Sequence, residues 1–173
     1  MTPSMLPASI AAILDRDLQA LSREVEAYPD ERGLWQNVPG ISNVAGTLVL
    51  HLAGNIQHYV GARLGETGYI RDRSAEFSRR DVSRTELLRE IEAARASVKT
   101  TLSGSRVPDP GADFPEVVGG ARVETGDYLM HLSTHFAYHL GQIDYHRRVV
   151  TGQGNSMDAM RPSDLSSARP SLS

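Results

Sequence analysis

The stretch TGDYLMHLSTHFAYHLGQIDYHRRVV, residues 125–150, reads as one long helix, and that reading decides the fold. Leu129, Leu132, Phe136, Leu140 and Ile143 recur at three and four. With Leu129 set at about 0° and about 100° per residue, they fall between about 300° and about 20°. A helix with a single apolar stripe must bury it against other helices. The same stretch holds four of the six histidines, at 131, 135, 139 and 146. The other two, His51 and His58, lie in HLAGNIQHYV, residues 51–60.

Three further segments have helical periodicity. Over residues 5–28, Leu6, Ile10, Ile13, Leu14, Leu18, Leu21 and Val25 form a stripe. A second helix is expected from Ser42, as N-cap, to about Leu64, with Ile41, Val44, Leu48, Leu52 and Tyr59 on one side. A third follows Ser83, where Ser83 and Glu86 fit a capping box, and runs to about Leu102. Between the second and third helices, GETGYIRDRSAEFSRRD reads as a polar loop. Before the fourth helix, SGSRVPDPGADFPEVVGGARVE reads as a long irregular connection, a kind of segment that often borders a functional site. No strand alternation is evident. The expected architecture is an all-α four-helix bundle over residues 1–150, followed by a flexible tail rich in Ser, Gly and Pro over 151–173.

The bulk composition excludes several functions. In 173 residues, 40% are hydrophobic and 23% charged, a globular balance, and the net charge of −3 argues against a nucleic-acid binder. The absence of cysteine rules out thiolate metal sites and a cysteine nucleophile. No apolar run approaches the roughly 18 residues of a membrane span, and the N-terminus has no signal-peptide pattern. A cytoplasmic protein with no membrane partner is expected.

The histidines divide by geometry. On the fourth helix His139 falls at about 280° and His135 at about 240°, flanking the core stripe, whereas His131 at about 200° is turned away. Histidines at i and i+4 start about 6 Å apart along the axis and can converge on one ion; at i and i+8 the separation of about 12 Å forbids it. The pair is therefore 131/135 or 135/139, and the azimuths favour 135/139. A third ligand must come from another helix. His51, on the matching flank of the second helix, is the natural candidate. Three imidazoles would leave an open coordination position, as catalytic sites do. A carboxylate-bridged di-iron site fits poorly, because no Glu precedes any of these histidines by three residues. Neither does any carboxylate base stand evidently beside them. His146 is expected to be ordinary surface.

Together GTLVLHLAGNIQHYV, LGETGYIRDRSAEFSRRDVSRTELL and HFAYHLGQIDYHRR resemble the DinB-like superfamily of bacterial metal-binding four-helix bundles. The likeness covers roughly residues 5–150. It implies a divalent metal, zinc or nickel, on His51, His135 and His139. His131 and His58 match no ligand of that family and are expected to support the ligands or an interface. The resemblance also implies a homodimer, and, for some members, transfer of a low-molecular-weight thiol.

Other residues have two readings each. Arg71 and Arg73 suit a substrate carboxylate or phosphate, but surface ion pairs with Asp72, Glu76 and Asp81 are the favoured expectation. Gln142, one turn beyond His139, suits either the orienting of a bound water or an ordinary helix-surface amide. Gly54 and Asn55 are poor mid-helix residues; a close approach beside the site, or a bond from Asn55 to a loop, would compensate. The function expected is a metal-dependent transferase or hydrolase, against a non-catalytic dimeric metal-binding or stress-response module and a metal-free helical interaction domain.

Overall fold

The computed structural model describes residues 6–104, 107–159 and 161–170. Its helices are α1 (Leu6–Glu26), α2 (Ala45–Ile56), α3 (Arg73–Ser78), α4 (Arg84–Leu102) and α5 (Thr125–Thr151). A π-helical turn, Gln57–Leu64, continues α2, and 3-10 turns occupy Glu31–Trp35 and Pro162–Asp164. There is no sheet among the described residues; two isolated bridges, Asp113 to Glu124 and Val118 to Ala121, shape the connection before α5. The four long helices are the bundle expected from the sequence. The residues expected at 1–5 and 171–173 lie outside the described ones.

The core forms where the stripes meet. Leu14, Leu18 and Leu21 of α1, Leu48, Leu52 and Ile56 of α2, Leu87, Ile91 and Val98 of α4, and Leu129, Phe136 and Ile143 of α5 are all buried. Each such side chain contributes roughly 1.5–3 kcal/mol by leaving water. α1 packs on α4 and α5, and α2 packs on α4, α3 and α5. The α2–α5 contact places two of the histidine-bearing faces together.

Local signals explain most boundaries. The Ser83 hydroxyl accepts the Glu86 amide at 3.2 Å and starts α4, while the Glu86 carboxylate turns to Arg79 rather than closing the second half of a capping box. Gly152, at φ +69°, ends α5 in the left-handed conformation. Two expectations need correction. Ser42 does not cap α2, which begins at Ala45 after an uncapped Val44. The stretch read as a loop contains α3, nucleated by Asp72, whose carboxylate accepts the Ala75 amide at 2.8 Å. Six residues are too few to show a period, so only the cap signalled this helix.

The N-terminal end of α5 and the far end are held differently. Near its C-terminus the Arg147 guanidinium, fully buried, bonds Glu24 at 2.5 Å, Asp144 at 2.9 Å and the carbonyls of Gln153 and Asn155 at 3.2 and 2.8 Å. The chain beyond α5 is thereby tied to α1. His146 is also buried, contrary to the expectation of a surface residue: its Nε2–H donates to the Gln36 carbonyl at 2.9 Å, and its Nδ1 accepts the Tyr28 hydroxyl at 2.8 Å. The azimuth located the face of α5 correctly, but the segment after α1 folds over it.

Candidate metal centre

Three imidazoles converge between α2 and α5. His51, His135 and His139 each offer a nitrogen within 4.8 Å of the others. Ring centroids are 5.3 Å apart for His51 and His135, 5.4 Å for His51 and His139, and 4.6 Å for His135 and His139. All three pairs meet nearly edge to face, at 83°, 88° and 88°. The Nε2 atoms of His51 and His135 are 3.4 Å apart. Two nitrogens at about 2.0–2.1 Å from one tetrahedral ion lie about 3.3 Å apart, so this separation suits a shared cation.

The outer nitrogens fix the tautomers. His51 Nδ1–H donates to Glu76 Oε2 at 3.0 Å, and His139 Nδ1–H donates to Gln142 Oε1 at 2.6 Å. Both rings must then carry their lone pair on Nε2. A carboxylate or amide behind a ligating histidine also fixes ring orientation and raises basicity. Burial, reinforced by the neighbouring His139 and His51, pushes His135 down to about 4. Burial lowers His139 as well, against the Gln142 bond. Both are neutral near pH 7, the form that binds a cation. Together these residues could hold a divalent metal ion.

Glu76 is the residue that sequence reasoning missed. It is buried on α3, and Arg71 grips it in a bidentate pair, Nε to Oε1 at 2.6 Å and Nη2 to Oε2 at 2.8 Å. Burial alone would raise its carboxyl, but the Arg71 and His51 hydrogen bonds outweigh that and hold it below the usual range. A carboxylate thus stands directly behind His51, where none was expected. The Arg71–Glu76 pair itself was anticipated, yet it is buried at the site and not on the surface. The signal for it was Gly54: a Cβ there would lie 2.3 Å from Glu76 Oε1, so glycine is required for α3 to seat its carboxylate. Asn55 is buried beside it, with no partner for its Oδ1 among the described residues.

The remaining expected residues lie around the cluster. His131 is exposed and stacks on His135 at 6.0 Å. Arg73 lies over the Phe77 ring at 5.1 Å, and Phe77 in turn lies 5.0 Å from His51. His58 is directed elsewhere: its Nε2 is 3.0 Å from Glu116, which Arg63 also pairs. In an unbroken α-helix His58, seven residues on, would return to nearly the azimuth of His51; the π-helical turn beginning at Gln57 shifts that register.

Residues 9–152 match the family model described as Mycothiol-S-transferase. The chain belongs to this family. Its DinB-like resemblance is thereby placed, since the mycothiol S-transferases are members of that superfamily. No curated protein and no solved structure matched the chain. The mycothiol S-transferase match spans the last eighteen residues of α1 through Gly152, and so includes all three clustered histidines, Glu76 and Gln142.

Proposed function

We propose that this protein is a metal-dependent S-transferase, which joins the sulfur of a low-molecular-weight thiol, mycothiol first of all, to an electrophilic small molecule. The observation that carries this reading is the convergence of His51, His135 and His139 in a chain of the mycothiol S-transferase family. These three residues are the proposed ligands, and zinc or nickel is the proposed ion. A divalent ion held by His51, His135 and His139 would supply Lewis acidity and so lower the pKa of a bound thiol or water.

The chain's own residues prepare that site. Glu76, clamped by Arg71, holds His51 with Nε2 inward; Gln142 does the same for His139. Burial keeps His135 unprotonated. The chain has no cysteine, so the reacting sulfur must belong to a small molecule. For a halide electrophile, the thiol releases its proton to water and its sulfur forms the new C–S bond. The C–X bond breaks with its electron pair leaving on X. The family membership supports a bacterial, cytoplasmic homodimer as the working form. Among the described residues no helix is long and apolar enough to cross a membrane.

The test is a direct one. Untagged protein is assayed for metal content and for consumption of mycothiol with an alkyl halide, beside His135→Ala. The expected result is stoichiometric metal and thiol transfer in the wild type, with both lost in the variant. Full metal content in His135→Ala would sink the ligand assignment. Metal without any thiol consumption would leave a non-catalytic metal-binding module.

A further inference from the structure

An open cleft of about 400 Å³ lies beside His131, one turn of α5 from His135, and is lined by Tyr59, Val118, Val123, Tyr128, His131 and Asp127. A slightly larger opening of about 440 Å³, around Leu64, Thr100 and Val107, touches none of the histidines. Two connections join the first cleft to the candidate metal centre. Along α5, the His131 ring stacks on Tyr128 at 5.6 Å and 18°, and on His135 at 6.0 Å and 24°. Beside α2 and its π-helical continuation, Arg71 lies over the Tyr59 ring at 5.6 Å while its Nη2 is 3.3 Å from His51 Nδ1.

The walls have a definite chemistry. Tyr59 and Tyr128 meet edge to face at 5.1 Å, and Phe114 packs on Tyr128 at 4.5 Å, so the rings are held by other rings. Flat aromatic faces and two valines favour a planar apolar guest. The charge is one-sided. Asp127 is exposed and has no hydrogen bond or ion pair among the described residues, whereas Arg71 is already paired with Glu76. A first-turn carboxylate is favoured by the α5 dipole in any case, but its field also reaches whatever enters the cleft.

We infer that this cleft receives the second substrate, and that it selects an uncharged planar aromatic electrophile over an anionic one. The inference rests on the transferase reading above. Stacking on the exposed His131 ring, which is itself backed by Tyr128, would set the reacting carbon towards His135, and Asp127 would repel a carboxylate or sulfonate on the same ring.

Two unreactive ring compounds separate charge from shape: 1,3-dinitrobenzene and 3,5-dinitrobenzoate. Their binding to the metal-loaded full chain is measured by calorimetry, in the wild type, Val118→Trp and Asp127→Asn. The wild type is expected to bind the neutral ring at least about tenfold more tightly than the anion. Val118→Trp should lose about tenfold for the neutral ring at unchanged metal content, and Asp127→Asn should narrow the preference between the two. Equal binding of the neutral ring by the wild type and both variants overturns the inference, as does displacement of the ring by mycothiol. Thiol transfer without ring binding overturns this inference alone. Ring binding without thiol transfer overturns the transferase reading alone and supports the aromatic site.

Discussion

Glu76 Oε2 lies 3.0 Å from His51 Nδ1, and that one hydrogen bond joins a six-residue helix to the centre of the bundle. It decides which nitrogen of His51 faces His135. With Nδ1–H donated to the carboxylate, Nε2 is left as a lone pair 3.4 Å from the Nε2 of His135. Arg71 keeps the carboxylate charged, so the arrangement is fixed before any ion arrives.

Removing that carboxylate should weaken metal binding without emptying the bundle. Glu76→Gln keeps an acceptor for His51 but loses the charge and the bidentate Arg71 pair. Metal affinity is expected to fall about 10–100-fold, read by competition with a chelator. Gly54→Ala should have a similar effect by pushing the carboxylate away. Unchanged affinity in both variants would show that His51 needs no support.

Metal should stabilise the fold through the three imidazoles together. At free metal about 100-fold above Kd, binding adds about 2.7 kcal/mol, or roughly 5–10 °C in Tm for a chain of this size. Differential scanning calorimetry with and without metal should show this shift in the wild type. His51→Ala, His135→Ala and His139→Ala should each abolish it, while His131→Ala and His58→Ala should retain it. A shift retained in His139→Ala would remove that residue from the ligand set.

Acid should destabilise the metal-free protein, and His135 gives the window. Its folded value of about 4 lies below its ordinary 6.5, so between these pH values the unfolded chain binds more protons. Stability therefore is fully present above about 6.5 and falls as the pH drops towards about 4. Buried Glu24, raised by desolvation to about 7 despite its Arg147 partner, acts in the opposite sense over an overlapping range. The His135 contribution is thus read as a difference: urea melts in chelator should show a weaker acid loss for His135→Asn than for the wild type. Parallel curves would refute the assigned neutrality.

His146 should matter to stability and not to metal. It joins the Tyr28 hydroxyl to the Gln36 carbonyl in a buried relay. His146→Phe strands both groups, with an expected loss of about 1–3 kcal/mol in urea unfolding. Tyr28→Phe should cost less, about 1 kcal/mol. Both should keep full metal content. Loss of metal in His146→Phe would tie this relay to the site.

The long helices were legible because each carries its own stripe, and a stripe is a property of consecutive residues. The pairing of His135 with His139 was legible for the same reason: one turn of one helix sets their spacing. The place of His51 could be argued only by matching flanks on two helices. Glu76 could not be found this way, because it depends on a short capped helix packing into the gap left by Gly54. His146 was misjudged for a related reason. Its azimuth states which side of α5 it occupies, not whether another segment covers that side.

The four long helices, their buried faces and the restriction of imidazoles to two of them are written in the sequence alone, since these follow from periodicity along the chain. Packing of the helices, in contrast, sets Glu76 and Gln142 behind two of the rings, turns His58 to Glu116, and brings Tyr59 and Tyr128 together as walls of a cleft beside His131. Except for Gln142, one turn from His139, those relationships join residues far apart in sequence. Their distances are set by how helices pack and by a π-helical turn, neither of which leaves a local period to read.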